Sequence, residues 1–217
     1  RDKLREHGVR QIQIIPYGVH TRALPDLPVK PLTKPLRLIV VSRMAPNKRI
    51  DHSVRALREL RNRKFDARLT IVGGGETESA LKRLVDELQL QSDVTFTGML
   101  PEKEKDALLR DSHFLLHTSQ REGWGLNVIE ANAMGTPAIV YPVEGLIEST
   151  LHDKTGLVSK DQTPVSLADS IESGLAREDD YQTWRVAAWD RAKEYHWDKV
   201  LPKACDWLEE MAKRPRK

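Results

Sequence analysis

The chain has a single cysteine, Cys205, in 217 residues. One thiol excludes an internal disulfide and a cysteine-rich metal site. No apolar run approaches the ~20 residues that a membrane-spanning helix needs. No sign of charge dominates either: 35 Lys+Arg against 32 Asp+Glu leave a formal net charge of +3. That balance argues against nucleic acid as a partner, which calls for a basic face. The basic residues are scattered except in Lys213-Arg214-Pro215-Arg216-Lys217, which reads as a solvated chain end or as a contact for an anionic surface. There is no Ser-His-Asp set, no GxSxG, no Walker loop and no zinc spacing. His113 and His117 lie four apart, but no carboxylate motif accompanies them, so no metal is expected. The opening Arg1-Asp2-Lys3-Leu4-Arg5-Glu6 is too charged for a signal peptide. It also lacks an initiator Met, so a piece of a longer protein is expected.

What is present is 39% hydrophobic and 31% charged residues, the balance of a globular protein with a solvated surface. Short β-rich apolar runs alternate with amphipathic helical stretches. Strands are expected at Ile12–Ile15, Leu36–Val41, Leu69–Val72, Val94–Phe96, Phe114–His117, Ala138–Tyr141 and Gly156–Val158. Helices are expected at Ile50–Arg63, Glu76–Leu90, Pro101–Arg110 and Trp124–Met134, the last closed by Gly135. From Pro164 the chain reads as helices, ending in an amphipathic one near Lys199–Ala212. Trp184, Trp189, Trp197 and Trp207 on this stretch read as packing anchors. Residues 21–35 carry Pro25, Pro28, Pro31 and Pro35 and read as an extended linker. The near-continuous LRLIVV of Leu36–Val41 marks a strand covered on both faces. This pattern gives an α/β fold, a parallel sheet of about six strands with helices on both faces and a helical C-terminal tail. Such sheets bind ligands at the carboxyl ends of their strands. Functional residues are therefore expected just after strands, at Ser42, Gly73, Gly98, His117 and Tyr141.

The richest segment is Arg121-Glu122-Gly123-Trp124-Gly125-Leu126-Asn127-Val128-Ile129-Glu130. It leaves a strand and enters a helix. Gly123 and Gly125 uncover the backbone amides at the helix start, an anion site suited to phosphate. Carboxylates such as Glu122 and Glu130 can accept hydrogen bonds from paired hydroxyls of a sugar. A ligand with phosphates in the middle and hydroxyls at both ends fits, and a nucleotide-sugar has that layout. The plainer alternative makes Glu122 a helix-start charge and Glu130 a solvated residue. Glu130, however, falls within the stripe Leu126-Ile129-Ala133-Met134, a costly place for an unpaired charge. Arg43 and Lys48 lie on the loop after the LRLIVV strand and could neutralise a diphosphate, or they form a basic rim. Gly73-Gly74-Gly75 permits close approach of a ligand to backbone or simply a tight turn. It is no dinucleotide fingerprint, since GxGxxG from Gly73 would need Gly where Glu78 stands. Met99 and Leu100 follow a strand at the same sheet edge, beside a base or at a turn. His117 can line the crevice, and His113 reads as structural.

Taken together, these motifs resemble the C-terminal domain of retaining glycosyltransferases with the GT-B fold, family 4 or group 1. The resemblance rests on Glu122 and Glu130 eight apart, followed by Ala131-Asn132-Ala133-Met134-Gly135-Thr136-Pro137. It also rests on Arg43 and Lys48 five apart, on Gly73–Gly75, and on Ile15-Pro16-Tyr17-Gly18-Val19. It covers about Ile14 to Trp197. It implies that Arg43 and Lys48 hold the donor diphosphate and Glu130 the ribose. It implies that Glu122 meets the transferred sugar or assists at the anomeric centre. The amides of Gly123, Trp124, Gly125, Leu126 and Asn127 would hold phosphates and sugar, and Met99 and Leu100 would flank the base. Ser42 and Arg49 stand where this family often has Gly, and Trp124 where Phe is frequent.

The organisation implied is a segment 1–20 ending a preceding domain, a linker 21–35, a nucleotide-sugar-binding domain 36–195 and a C-terminal helix and tail 196–217. The function implied is donor binding for a sugar transfer from a nucleotide-diphosphosugar to an acceptor hydroxyl, with no cofactor and no metal. The acceptor domain is missing, so this half is expected to bind nucleotide but to be inactive alone. The expected location is cytoplasmic, or peripheral at the inner membrane face if the acceptor is lipid-linked. A nucleotide-sugar epimerase on the same fold and a non-catalytic nucleotide-binding domain are the alternatives.

Overall fold

The computed structural model describes residues 2–9 and 12–213. The basic tail from Arg214 onward lies outside the described residues. After a short helix α1 (Asp2–Glu6), six strands alternate with helices. These are β1 (Leu36–Val41), α2 (Ile50–Asn62), β2 (Ala67–Val72), α3 (Glu78–Glu87), β3 (Val94–Gly98), α4 (Glu102–Asp111), β4 (Phe114–His117), α5 (Leu126–Ala133), β5 (Ala138–Val140), α6 (Glu144–Ser149) and β6 (Gly156–Val158). Three helices follow, α7 (Pro164–Leu175), α8 (Glu178–Ala192) and α9 (Trp197–Lys213). All six strands are parallel, in the order β3-β2-β1-β4-β5-β6. The order reverses between β1 and β4, so a crevice opens there at the carboxyl ends.

The alternation within β1 divides the core in two. Leu36, Leu38 and Val40 join one apolar cluster with residues of α2, α3 and α7, while Ile39 and Val41 join the other with residues of α4, α5 and α6. A strand buried on both faces has no polar side to show, which is why LRLIVV reads as it does. Each fully buried aliphatic side chain contributes at most about 1.5–3 kcal/mol. Helix α8 links the clusters, with Tyr181 and Trp184 in the first and Ala192 in the second.

The structure departs from or adds to the sequence reading at three points. Ile12–Ile15 forms no strand, and Ile14 is 61% exposed. Pro16 takes a donor from that segment, and only Val19 bridges to the sheetless stretch at His196. Second, residues 21–35, expected as an extended linker, lie pinned to the domain as a strap. Leu24 N–H donates to Ala133 O at 3.0 Å, and the Trp189 indole to Leu24 O at 2.9 Å. Arg185 donates to Pro28 O at 2.9 Å, and Lys30 Nζ to Ser112 O at 2.7 Å and Thr136 Oγ1 at 3.0 Å. Third, α6 was not anticipated. Its six residues are too few to show a helical period.

Candidate active site

The loops that leave β1 and β4 face each other across the switch point and are tied together. Thr118 Oγ1 donates to Lys48 O at 3.0 Å and to Arg49 O at 2.8 Å, and Gln120 N–H to Asn47 O at 2.9 Å. The Asn127 side chain reaches back from α5 to Val41 O at 2.8 Å. Backbones also come close at two glycines. A Cβ on Gly73, whose φ is +125°, would sit 2.1 Å from Ser42 O. One on Gly145 would sit 2.2 Å from Glu122 O.

This framework brings Lys48 and Glu122 together, 74 residues apart in sequence, with Lys48 Nζ 2.6 Å from Glu122 Oε2. His117, at the end of β4, places Nε2 3.3 Å from the same oxygen. Burial holds His117 below its usual range, against the pull of Glu122, so the ring is neutral near pH 7 and its Nε2–H donates. Hydrogen bonds from His117 and from Lys48 draw the Glu122 carboxyl down to about 2, against burial, which opposes them. Glu122 also borders a cleft lined by Gln120, Arg121, Pro142, Val143 and Glu144.

Arg43, on the same loop as Lys48, is exposed and makes no ion pair among the described residues. Arg49 takes the left-handed conformation, φ +49°. That backbone strains a residue with a Cβ, as it would not a glycine. Arg49 is held regardless: its guanidinium donates to Gln162 Oε1 at 3.0 Å and lies 5.7 Å from the centre of the Tyr141 ring.

The start of α5 leaves backbone amides without helical acceptors. Gly125 takes φ +72° as the N-cap of α5, and Val128 N–H donates to Gly125 O. The amides of Leu126 and Asn127 therefore have no acceptor within the helix. The Gly123 amide lies 3.3 Å from Glu122 Oε1. The Trp124 ring turns away toward Tyr195, with centroids 5.5 Å apart. Leu126, expected on the inward stripe, is instead 40% exposed.

Glu130 lies one turn further along α5, about 6 Å from Leu126 along the axis. It is not an unpaired charge in an apolar stripe. Lys105 of α4 donates to its Oε2 at 3.0 Å and to Glu102 Oε2 at 2.8 Å. Burial raises the Glu130 carboxyl, with Lys105 opposing. Lys105 was missed in the sequence because it sits in the run Glu102-Lys103-Glu104-Lys105-Asp106, where nothing marks one lysine as inward. Near the third strand end, Gly74 O accepts from Met44 N–H at 2.9 Å and Gly98 O from Gly73 N–H at 2.8 Å. Met99 projects into solvent, 85% exposed, while Leu100 packs against the second core cluster. His113 is fully buried and structural: its Nδ1 accepts from Arg37 N–H at 3.0 Å. Among the described residues no group of three or more His, Cys, Asp or Glu could hold a metal ion.

Residues 28–191 match the model of the family described as glycosyl transferases group 1. The chain belongs to that family. A curated relative, a GDP-mannose-dependent alpha-(1-6)-phosphatidylinositol monomannoside mannosyltransferase of Mycobacterium tuberculosis, is 33% identical over 215 residues. The alignment covers 91% of this chain and 55% of the relative, so the chain spans about half the length of the group 1 relatives it matches. Among solved structures, a sucrose-phosphate synthase from Thermosynechococcus elongatus superposes with a TM-score of 0.78 at 24% identity, over 97% of this chain and 55% of that one. An Anabaena protein, HepE, solved with UDP and glucose, superposes with a TM-score of 0.72 at 19% identity, over 81% of this chain and 48% of that one. These likenesses establish the fold of the group 1 C-terminal half, a Rossmann-like sheet with a helical tail. Among the described residues no helix is long and apolar enough to cross a membrane.

Proposed function

We propose that this chain is the donor-binding half of a retaining glycosyltransferase that uses a nucleoside-diphosphate sugar. The observation that carries the reading is the Lys48–Glu122 contact across the β1/β4 switch point, with the free cation Arg43 on the same loop. A diphosphate lying across the uncovered amides of Leu126 and Asn127 would meet Arg43 in a fork and Lys48 as a point charge. Lys48 carries three protons, so it can bind a phosphate oxygen while keeping Glu122. Glu130 then takes the ribose hydroxyls, and Glu122 a hydroxyl of the transferred sugar.

In the whole enzyme an acceptor hydroxyl attacks the anomeric carbon as the bond to the diphosphate breaks. The hydroxyl proton passes to the departing phosphate oxygen, on the face where the new bond forms, which retains configuration. Arg43 and Lys48 stabilise the charge that grows on the leaving group, the part a divalent cation would otherwise play. The relative named for GDP-mannose and the neighbour solved with UDP both point to a guanosine or uridine diphosphate. A lipid-linked acceptor at a membrane surface suits the first of these. Transfer needs the preceding half, so the 217 residues alone bind nucleotide and transfer little sugar.

The test is calorimetric titration of the chain with UDP, GDP and ADP, repeated with Glu130→Ala. One diphosphate should bind, and the variant should weaken it about tenfold or more, the equivalent of about 1.4 kcal/mol. Equal affinity of wild type and variant for all three would overturn the assignment.

A further inference from the structure

The chemistry of Glu130 depends on its charge. An ionised carboxylate accepts on both oxygens, whereas a protonated one turns one oxygen into a donor. Glu130 sits where that charge is under pressure. Its side chain is 22% exposed. Glu102 and Asp106, both on α4, add negative charge nearby and, together with burial, favour the protonated form. Asp106 shares the trend, with burial the main cause.

Lys105 of α4 is the cation paired with two of these carboxylates, Glu102 and Glu130. It is 7% exposed. Its burial works against its own charge, and Glu102 and Glu130 outweigh that, raising its pKa overall. The ammonium touches only Oε2 of Glu130. Among the described residues Oε1 accepts no hydrogen bond, and it is not sealed in the core. The geometry therefore anchors one oxygen on Lys105 and leaves the other without a partner among the described residues, and each keeps a lone pair that a hydroxyl can donate to.

Building on the proposed function, we infer that Lys105 is a positioning residue for ribose recognition, holding Glu130 ionised and turned so that it can accept from both ribose hydroxyls of the nucleotide. Lys105 itself does not touch the ligand. Its contribution is thus specific to nucleotides that carry ribose hydroxyls. A lysine that only braced α4 against α5 would affect every nucleotide alike.

The experiment measures the affinity of the full chain for UDP and GDP and for their 2′,3′-dideoxy counterparts, the deoxy forms that lack both hydroxyls. Wild type is expected to prefer the ribo form about tenfold or more, the size of at least one charged hydrogen bond. Lys105→Met and Lys105→Gln should each reduce that preference to near unity while leaving the affinity for the deoxy form within about twofold, and Lys105→Arg should restore most of it. Glu102→Gln should keep the preference, since it leaves the Lys105–Glu130 contact. An undiminished preference in the neutral variants overturns the inference. So does an equal loss of affinity for ribo and deoxy forms, or a failure to fold that Lys105→Arg repairs, since either makes Lys105 a structural brace. Wild type binding both forms equally would remove the ribose role of Glu130 itself, before any Lys105 variant is measured.

Discussion

At neutral pH Glu122 is a standing negative charge and not a proton donor. Its carboxyl is drawn from 4.5 to about 2 by His117 and then by Lys48. A group whose folded pKa is depressed stabilises the fold above its unfolded pKa, and that contribution is lost as pH falls toward the folded value. Glu122→Gln keeps the shape and removes the charge, and should cost on the order of 1 kcal/mol at pH 7. The stability gap between wild type and variant should be constant above about pH 5 and should close as pH falls from 4.5 toward 2. Chemical denaturation across that range measures it. A gap that does not change with pH would mean that Lys48 and His117 do not hold Glu122 in solution. The same fixed charge limits its chemistry. Glu122 can accept a hydrogen bond from a sugar hydroxyl or steady positive charge at the anomeric carbon, but a group with so low a pKa is a poor base near pH 7.

The strap 21–35 shows how an element without regular structure can be held by polar anchors. Lys30 donates to Ser112 O and Thr136 Oγ1 where burial, then Arg185 and Arg37, lower its pKa from 10.5 to about 7. Between those values the unfolded chain holds a proton that the folded one has released. Stability rises with pH wherever the unfolded state binds more protons. The wild-type advantage over Lys30→Met should therefore grow as pH rises from about 7 toward 10.5, and be least below 7. Thermal melts of both proteins at pH 6 and pH 9 decide this. An advantage equal at both values would show that Lys30 keeps its ordinary pKa. The strap also marks the limit of legibility. Strands such as Leu36–Val41 and Phe114–His117 were readable because burial on both faces leaves an unbroken apolar run. Four prolines signalled only irregular backbone, since the anchors Trp189 and Arg185 lie over 150 residues away. In the site, Lys48 and Glu122 were legible because each follows a strand next to the switch point. Lys105 was not, because its inward direction is set by how α4 packs on α5, and a charged run carries no trace of that. Ile12–Ile15 failed for the complementary reason: a β-rich run makes a strand only where a neighbouring strand offers pairing.

At the scale of the whole molecule, the sheet, its two helical layers and the strap bring the carboxyl-end loops together, and the ligand would complete that end. Met99 and Arg43 stand in solvent, and among the described residues Arg43 makes no ion pair. Binding to the folded state alone stabilises by about 2.7 kcal/mol at a free ligand concentration of one hundred times Kd. For a chain of this size each kcal/mol moves the melting temperature by roughly 2–4 °C. The correct nucleoside diphosphate should therefore raise it by several degrees, and the wrong bases should do so only at much higher concentration. Arg43→Ala should leave the melting temperature of the free protein within about 1 °C, because a surface change away from packing and ion pairs is close to neutral. The same variant should remove most of the ligand-induced rise at a fixed concentration. Differential scanning fluorimetry with UDP, GDP and ADP against both proteins reads both halves of this expectation at once. A free-state loss of several degrees would assign Arg43 to the fold, and a full rise in the variant would place the diphosphate elsewhere on the sheet edge.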